Sequence, residues 1–224
     1  MTAETNVNFY PDYSRLDPEV LALLGAGRTE GLDHFDNECS RESLQAIRPA
    51  TFEHLTAAVI LSAPRMWPYC GQYVARKNGE EPLPQILPLV DYLLAETYGL
   101  MLYREQLAAI LDAVAWLPTR LGFDLLEEID QKNWDVVARW EKTLCEQTVE
   151  CGTPSERAGE IFRLVKTAVP RTARKVWAMY QAQRLYEQAH HVVHGSGPGK
   201  KEAESGRLDQ ESEAGLWARQ DKDG

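Results

Sequence analysis

The 224-residue sequence predicts an all-α fold, an irregular helical bundle followed by a disordered C-terminal tail. Apolar residues recur at three- and four-residue intervals, and residues that start or stop helices punctuate the chain. No long segment alternates apolar and polar residues with β-branched enrichment, as a half-buried strand would. With 44% apolar residues, the chain can bury one ordinary core.

Three short helices are expected between residues 17 and 63. Each follows a residue whose side chain can accept a hydrogen bond from the first helical turn. The capping residues are Asp17, Ser40 and Thr51. The helices end at Gly25, Ile47 and Ser62. Pro18 follows the first cap at a position where proline starts helices well, and Pro64 ends the third helix.

The middle of the chain predicts a connector and then a buried helix. Three prolines between Glu80 and Pro88 favour extended backbone before the apolar segment 89–95. Beyond Gly99, apolar residues recur at helical spacing until Pro118 ends the helix. These residues are Leu102, Leu107, Ile110, Leu111 and Val114.

Three further helices are expected in the second half. Residues 133–150 form a long amphipathic segment. Thr153 and Glu156 have the spacing of a capping box, which predicts a helix through Ile161 and Val165. Pro170 is expected to open the last helix, which runs to about His194.

We expect an N-terminal extension at 1–16, a helical domain at 17–194 and a charged tail at 195–224. The tail is rich in glycine and mixed charge, which is typical of disorder. Leu216 and Trp217 follow a short Gln-Glu-Ser-Glu run and weakly resemble a clamp-docking peptide, although the spacing differs. The N-terminus has no basic region followed by an apolar run, and no segment is long and apolar enough to enter a membrane.

Several motifs in one order resemble a known family. Residues 96–106 read Glu-Thr-Tyr-Gly-Leu-Met-Leu-Tyr-Arg-Glu-Gln, where Thr-Tyr-Gly is followed by Glu-Gln, and residues 73–80 contain an Arg-Lys pair and a Gly-Glu pair. The chain resembles the fingers region of the bacterial C-family DNA polymerase III alpha subunit over about residues 17–190. Weaker correspondences fall at 27–36, 44–55, 158–162 and 179–181.

The resemblance also implies losses at functional positions. An adjacent arginine pair that the family places near the incoming nucleotide corresponds here to Glu127 and Glu128. Other altered motif positions are Ala63, Arg65, Val169, Pro170 and Arg171. The metal-binding aspartates of the family belong to the palm, and this chain is expected to lack a counterpart of the palm. Nucleotidyl transfer needs carboxylates that hold two metal ions, so we expect no catalytic residue, no metal and no cofactor.

A formal net charge of −10 repels the phosphate backbone, so DNA contact would require a local basic face. The candidate nucleic-acid-binding residues are Arg76, Lys77, Lys132, Arg171, Arg174 and Lys175. The last three are expected to project from one helix together, with Arg163, Lys166 and Arg184 nearby; an ordinary solvated face is the alternative. Trp177 and Tyr180 could stack on bases, although core packing is the favoured interpretation.

Other candidate sites have simpler interpretations. His190 and His194 have a spacing that can bind metal, but no carboxylate lies between them, and histidines in a last helical turn also suit the helix dipole. Glu127, Glu128 and Asp130 are interpreted as a solvated acidic face. The four cysteines, which have no CxxC spacing, are expected to be free or buried thiols: Cys39, Cys70, Cys145 and Cys151.

The resulting hypothesis is a non-catalytic, cytoplasmic relative of the polymerase fingers that acts in DNA replication as an accessory or modulating protein. A replisome or polymerase protein is the expected partner, with weak DNA contact and no membrane contact. The small size fits a phage or mobile element. One alternative is the fingers subunit of a split DNA polymerase whose palm is another chain. Another is a helical module that binds single-stranded DNA.

Overall fold

The computed structural model describes residues 16–195, in which the chain forms ten α-helices and two short 3-10 helices. The α-helices are α1 Pro18–Gly25, α2 Glu38–Ile47, α3 Phe52–Leu61, α4 Trp67–Lys77, α5 Pro88–Leu93, α6 Arg104–Ala115, α7 Thr119–Asp130, α8 Trp134–Glu150, α9 Ser155–Ala168 and α10 Lys175–His194. The 3-10 helices are Ala95–Thr97 and Val169–Arg171. Within the described range there is no strand, and an isolated parallel bridge joins Tyr103 to Ala173. The all-α class is confirmed.

The predicted extension up to residue 15 and the predicted tail from residue 196, including Leu216 and Trp217, lie outside the described residues. Within residues 16–195, no helix combines the length and the apolar composition needed to cross a membrane. All four cysteines fall in the described range and are free thiols.

Two of the three predicted N-caps are confirmed. The Asp17 carboxylate accepts a hydrogen bond from Glu19 N at 2.8 Å, and the Thr51 hydroxyl accepts one from His54 N at 3.3 Å. The Ser40 cap is wrong, because Asn37 Oδ1 accepts from Ser40 N at 2.9 Å and α2 begins at Glu38. Asparagine caps a helix as well as serine does, and Asn37 starts the helix three residues before the expected cap.

Two further helix starts differ from expectation. Pro154 occupies the N-cap position of α9 without a side-chain hydrogen bond, so the capping box from Thr153 does not form. Pro170 lies in the 3-10 helix Val169–Arg171, and α10 begins only at Lys175 after the extended residue Thr172. Proline therefore opened a single tight turn instead of the long helix.

Helices α4 and α7 were not assigned from the sequence. Helix α4 contains the Arg-Lys pair of residues 76–77, and α7 contains Glu127 and Glu128. The helix expected after Gly99 is confirmed as α6, and it ends before Pro118. Its C-cap residue Trp116 has a φ of 50°, a left-handed conformation that stops the helix.

The buried side chains form two hydrophobic clusters. The first cluster joins α1, α2, α3, α4 and α10, and its fully buried members include Leu24, Ile47, Leu55, Leu61, Tyr73 and Leu185. The second cluster joins helices α5 to α9, and its members include Leu94, Leu107, Ile110, Leu126, Phe162 and Val165. Helix α10 thus returns from the second half of the chain to pack on the first.

Candidate nucleic-acid interface

The Thr-Tyr-Gly and Glu-Gln motifs form a buried polar network at the start of α6. Gln106 is 6% exposed, and its Nε2 donates to the Thr97 hydroxyl at 2.8 Å. Gln106 Oε1 accepts from both Leu102 N and Tyr103 N at 3.0 Å. The Thr97 hydroxyl donates in turn to Leu100 O at 2.6 Å. A buried polar side chain costs free energy unless it is bonded, and here Gln106 fixes the turn that precedes its own helix.

Tyr98 connects this turn to the first cluster. Its hydroxyl lies 2.9 Å from His54 Nε2, and its ring meets the Tyr73 ring edge-on at 5.1 Å. Ala50 N donates to His54 Nδ1 at 3.2 Å, so the neutral imidazole carries its proton on Nε2 and donates to Tyr98. Burial, reinforced by the charge of Lys77, lowers the pKa of His54. Burial also raises the pKa of the Tyr73 hydroxyl, which is 0% exposed.

The segment after the motif turn contacts the start of α10. Arg104 N donates to Ala173 O at 2.9 Å, and Ala173 N donates to Leu102 O at 3.2 Å. Glu105 Oε2 accepts from Lys175 N at 2.8 Å, and the Lys175 ammonium lies 2.7 Å from a Glu96 carboxylate oxygen. The motif is therefore the connection between the two clusters. The sequence identified this motif only by resemblance and did not indicate these partners, because they lie about 70 residues away in the chain.

Arg76 and Lys77 lie at the end of α4, at different depths. The Arg76 guanidinium is 10% exposed, pairs with Glu81 at 2.8 Å, and donates to Tyr98 O at 3.4 Å. Among residues 16–195, no carboxylate lies within ion-pair distance of Lys77, which is half-buried. Arg76 is thus engaged within the fold, whereas the Lys77 charge is not neutralised by the part of the chain that is described.

The expected basic face of one helix, formed by Arg171, Arg174 and Lys175, does not exist, because Arg171 lies in the 3-10 helix and Arg174 caps α10. The Arg171 guanidinium stacks 4.8 Å from the Tyr69 ring, and that of Arg174 stacks 4.5 Å from the Phe123 ring. Lys175 pairs with Glu96. The three cations therefore contact three different elements. Arg174 is exposed, whereas Arg171 and Lys175 are half-buried.

Two of the three neighbouring cations, Lys166 and Arg184, are also engaged in ion pairs, whereas Arg163 is exposed. Lys166 pairs with Glu141 at 3.1 Å, and Arg184 pairs with Asp33 at 3.0 Å. Trp177 packs partly buried against the first cluster, as expected. Tyr180 is 52% exposed, so the core interpretation of that residue is wrong.

The acidic residues of α7 follow the interpretation of a solvated face only in part. Glu127 is exposed and accepts from Gln131, and Glu128 accepts from Asn133 at 2.7 Å. Asp130 pairs with Arg104 at 2.5 Å and joins α7 to α6. Lys132 follows in a left-handed turn with a φ of 60° and is exposed. The positions that the resemblance equates with the family's arginine pair thus hold an exposed Glu127 and a half-buried Glu128.

The fold and this motif network define a helical fingers-type module. The family described as bacterial DNA polymerase III alpha subunit finger domain matches residues 4–152, more than half of the chain. The chain belongs to this family, which supports a role related to the DNA polymerase of replication. The match ends before α9, so the correspondences at 158–162 and 179–181 stay predictions.

Similar proteins include the DNA polymerase III alpha subunit of Streptococcus pyogenes, which is 29% identical over 147 residues. The alpha subunit of Aquifex aeolicus is 27% identical over 148 residues, and that of Chlamydia pneumoniae is 28% identical over 146. Each match covers 65–66% of this chain. The chain spans only 12–14% of the length of these relatives.

Proposed function

We propose that this chain is a non-catalytic fingers-type module that acts in DNA replication by contacting a polymerase or another replisome protein. Membership of the finger family supports the replication context. The observation that carries the non-catalytic part is the placement of Glu127 and Glu128 on the surface of α7, where the family resemblance assigns an arginine pair. The proposal places the protein in the cytoplasm with the replication machinery.

The reason to expect no nucleotide site at Glu127 and Glu128 is electrostatic. An arginine-phosphate hydrogen bond contributes about 1.5–3 kcal/mol, and replacement by a carboxylate removes this attraction and adds repulsion. Glu127 and Glu128 contact only the amides of Gln131 and Asn133, so no cation of the described residues neutralises either of them. A triphosphate is therefore expected to bind this surface weakly or not at all. Because the helical fold is kept while the nucleotide site is lost, we propose that the helices serve to contact another protein.

Binding of a fluorescent deoxynucleotide in the presence of Mg²⁺ tests the loss of the nucleotide site. We expect no saturable binding to the natural chain. A Glu127→Arg, Glu128→Arg double variant should gain affinity, whereas a Glu146→Arg, Glu150→Arg double variant on the exposed face of α8 should not, although it changes the net charge by the same four units. Tight binding by the natural chain would contradict the proposal.

Affinity capture from the native host, with cross-linking to map the contact, tests the role in replication. Cross-links between the described helices and a replisome subunit would support it. Addition of the chain to a purified partner polymerase should change primer extension without the chain itself extending a primer. Primer extension that appears only when this chain joins a separate palm chain would instead establish the split-polymerase alternative.

One observation favours a weak contact with single-stranded DNA as a second function. Arg174 is exposed at the start of α10, and Tyr180 exposes 52% of its surface on the same helix, so a cation and an aromatic ring are both available to a strand. The proposed contact residues are Arg174 and Tyr180, with Lys175, Arg171, Arg76, Lys77 and Lys132 as the remaining candidates.

Fluorescence anisotropy with a labelled oligonucleotide tests this second function. Affinity should fall with rising salt, and the Arg174→Ala, Tyr180→Ala double variant should bind about thirtyfold more weakly if each side chain contributes about 1 kcal/mol. Lys142→Ala, an exposed charge change on α8, is the matched control. Salt-independent binding, or equal losses in the test and control variants, would exclude a specific contact.

A further inference from the structure

The first turn of α1 meets the last turns of α10 through a carboxylate and two imidazoles. One oxygen of Asp17 and one ring nitrogen each of His190 and His194 all lie within 4.8 Å of one another. His194 Nε2 is 2.7 Å from Asp17 Oδ2, although the two residues are 177 positions apart in the chain. The two imidazole rings have their centroids 4.5 Å apart. The structure thus supplies the carboxylate that the helix itself does not carry between its histidines.

We propose that Asp17, His190 and His194 form a zinc site that fastens the beginning of α1 to the end of α10. Imidazole nitrogen and carboxylate oxygen are ordinary ligands of Zn²⁺, at distances of about 2.0–2.2 Å, and histidines at i and i+4 face the same side of a helix. A three-ligand protein site leaves a fourth tetrahedral position open for water or another ligand.

A second observation points to a ligand at this cluster. His190 Nδ1 is buried, and no hydrogen-bond partner reaches it among the described residues. Leaving a buried polar atom without a partner is costly, and each such atom in a folded protein calls for an explanation. A metal ion held between the two rings would account for two imidazoles that pack side by side next to a carboxylate.

Hydrogen bonds within the protein hold the Asp17 carboxylate in position without a metal ion. Tyr186 Oη accepts from Asp17 N at 2.8 Å, so the backbone of the carboxylate residue is anchored to α10 one turn before His190. Asp17 Oδ1 accepts from Glu19 N at 2.8 Å, which leaves Oδ2 directed at His194. Ligands that are already held in place lose little conformational freedom on binding, which favours affinity.

Calorimetric titration of ZnCl₂ into the metal-stripped, tag-free chain tests the site. We expect one zinc ion per chain, and Asp17→Asn and His190→Gln should each weaken binding by at least about tenfold. Asparagine still caps α1, so the first variant keeps the local fold while it loses the charged ligand. His191→Gln is the matched control on the same helical turn, and its affinity should equal that of the natural chain.

The visible spectrum of the Co²⁺-loaded chain gives a second readout, because an intense tetrahedral spectrum distinguishes a coordinated site from loose surface binding. Absence of saturable zinc binding would overturn the proposal. So would equal losses in His191→Gln and His190→Gln, or binding that survives Asp17→Asn unchanged. Circular dichroism of each variant separates a lost ligand from a lost fold. None of these outcomes depends on the replication role.

Discussion

At the scale of single residues, Gly99 is fixed both by its backbone angle and by its neighbour. Its φ is 79°, in the left-handed region that favours glycine, and a Cβ there would lie 2.4 Å from Pro84 Cδ. Pro84 belongs to the connector that crosses the motif turn. The glycine of the family motif therefore allows two chain segments to touch, which gives a physical reason for a residue that the sequence identified only by resemblance.

Gly99→Ala is expected to lower the free energy of unfolding by about 2–5 kcal/mol, from left-handed strain of about 1–2 kcal/mol and overpacking of about 1–3 kcal/mol. Gly79→Ala is the matched control, because Gly79 has a φ of 77° but nothing within 4 Å of its added Cβ. The control isolates the backbone strain alone. Urea denaturation measures the free energy of unfolding of both variants. An equal loss of stability in the two variants would show that the Pro84 contact contributes nothing.

His54 predicts a pH dependence of stability. Burial lowers its pKa in the folded protein, while the unfolded chain has the ordinary value of about 6.5. The unfolded state therefore binds more protons, so the stability due to His54 is complete above about pH 6.5 and is lost as the pH falls through the folded-state pKa. Protonation also removes the Nδ1 lone pair that accepts from Ala50 N.

His54→Asn tests this pH dependence, because asparagine keeps an acceptor near Nδ1 and cannot titrate. We expect the variant to be less stable at pH 8 and to lose less stability than the natural chain between pH 7 and pH 5. Denaturant unfolding across this range gives the slope directly. A variant with the same slope as the natural chain would assign the acid sensitivity to other groups.

At the scale of elements, two helix starts that depend on neighbouring residues were predicted correctly from the sequence, whereas the start of α10, which depends on a distant residue, was not. Asp17 and Thr51 cap their own helices through neighbours two or three positions away. The start of α10 is set by Glu105, which lies 70 residues earlier, so Pro170 gave a wrong boundary. The contact between Asp17 and His194 of α10 was also not predicted, because the two residues are 177 positions apart.

Glu105→Ala tests this distant cap. It removes the acceptor of Lys175 N, so we expect a loss of about 1–2 kcal/mol and faster amide exchange in the first turn of α10. Hydrogen exchange of peptides that cover residues 173–180 measures the local effect. Glu146→Ala, on the exposed face of α8, should change neither quantity. Unchanged exchange at α10 in the Glu105 variant would mean that the helix start is held by its other contacts.

At the scale of the whole molecule, two hydrophobic clusters are joined through the motif turn and the start of α10. The second-half helix α10 packs in the first cluster, and the bridge between Tyr103 and Ala173 ties the connecting segments together. The helical domain proposed for residues 17–194 should therefore unfold as one unit. Sequence periodicity could indicate which faces are apolar, but it could not divide them between two clusters, because that division depends on where α10 returns.

Leu126→Ala tests whether the two clusters unfold together. Leu126 is 0% exposed in the second cluster, so the substitution should cost about 2–5 kcal/mol, whereas Leu121→Ala on the same helix, at 38% exposure, should cost less than about 1. Fluorine NMR of a fluorotryptophan-labelled chain follows each cluster, because Trp140 packs on the second and Trp67 and Trp177 on the first. We expect all three signals to shift to the same lower urea midpoint. A shift confined to Trp140 would show that the clusters unfold separately and that α10 does not couple them.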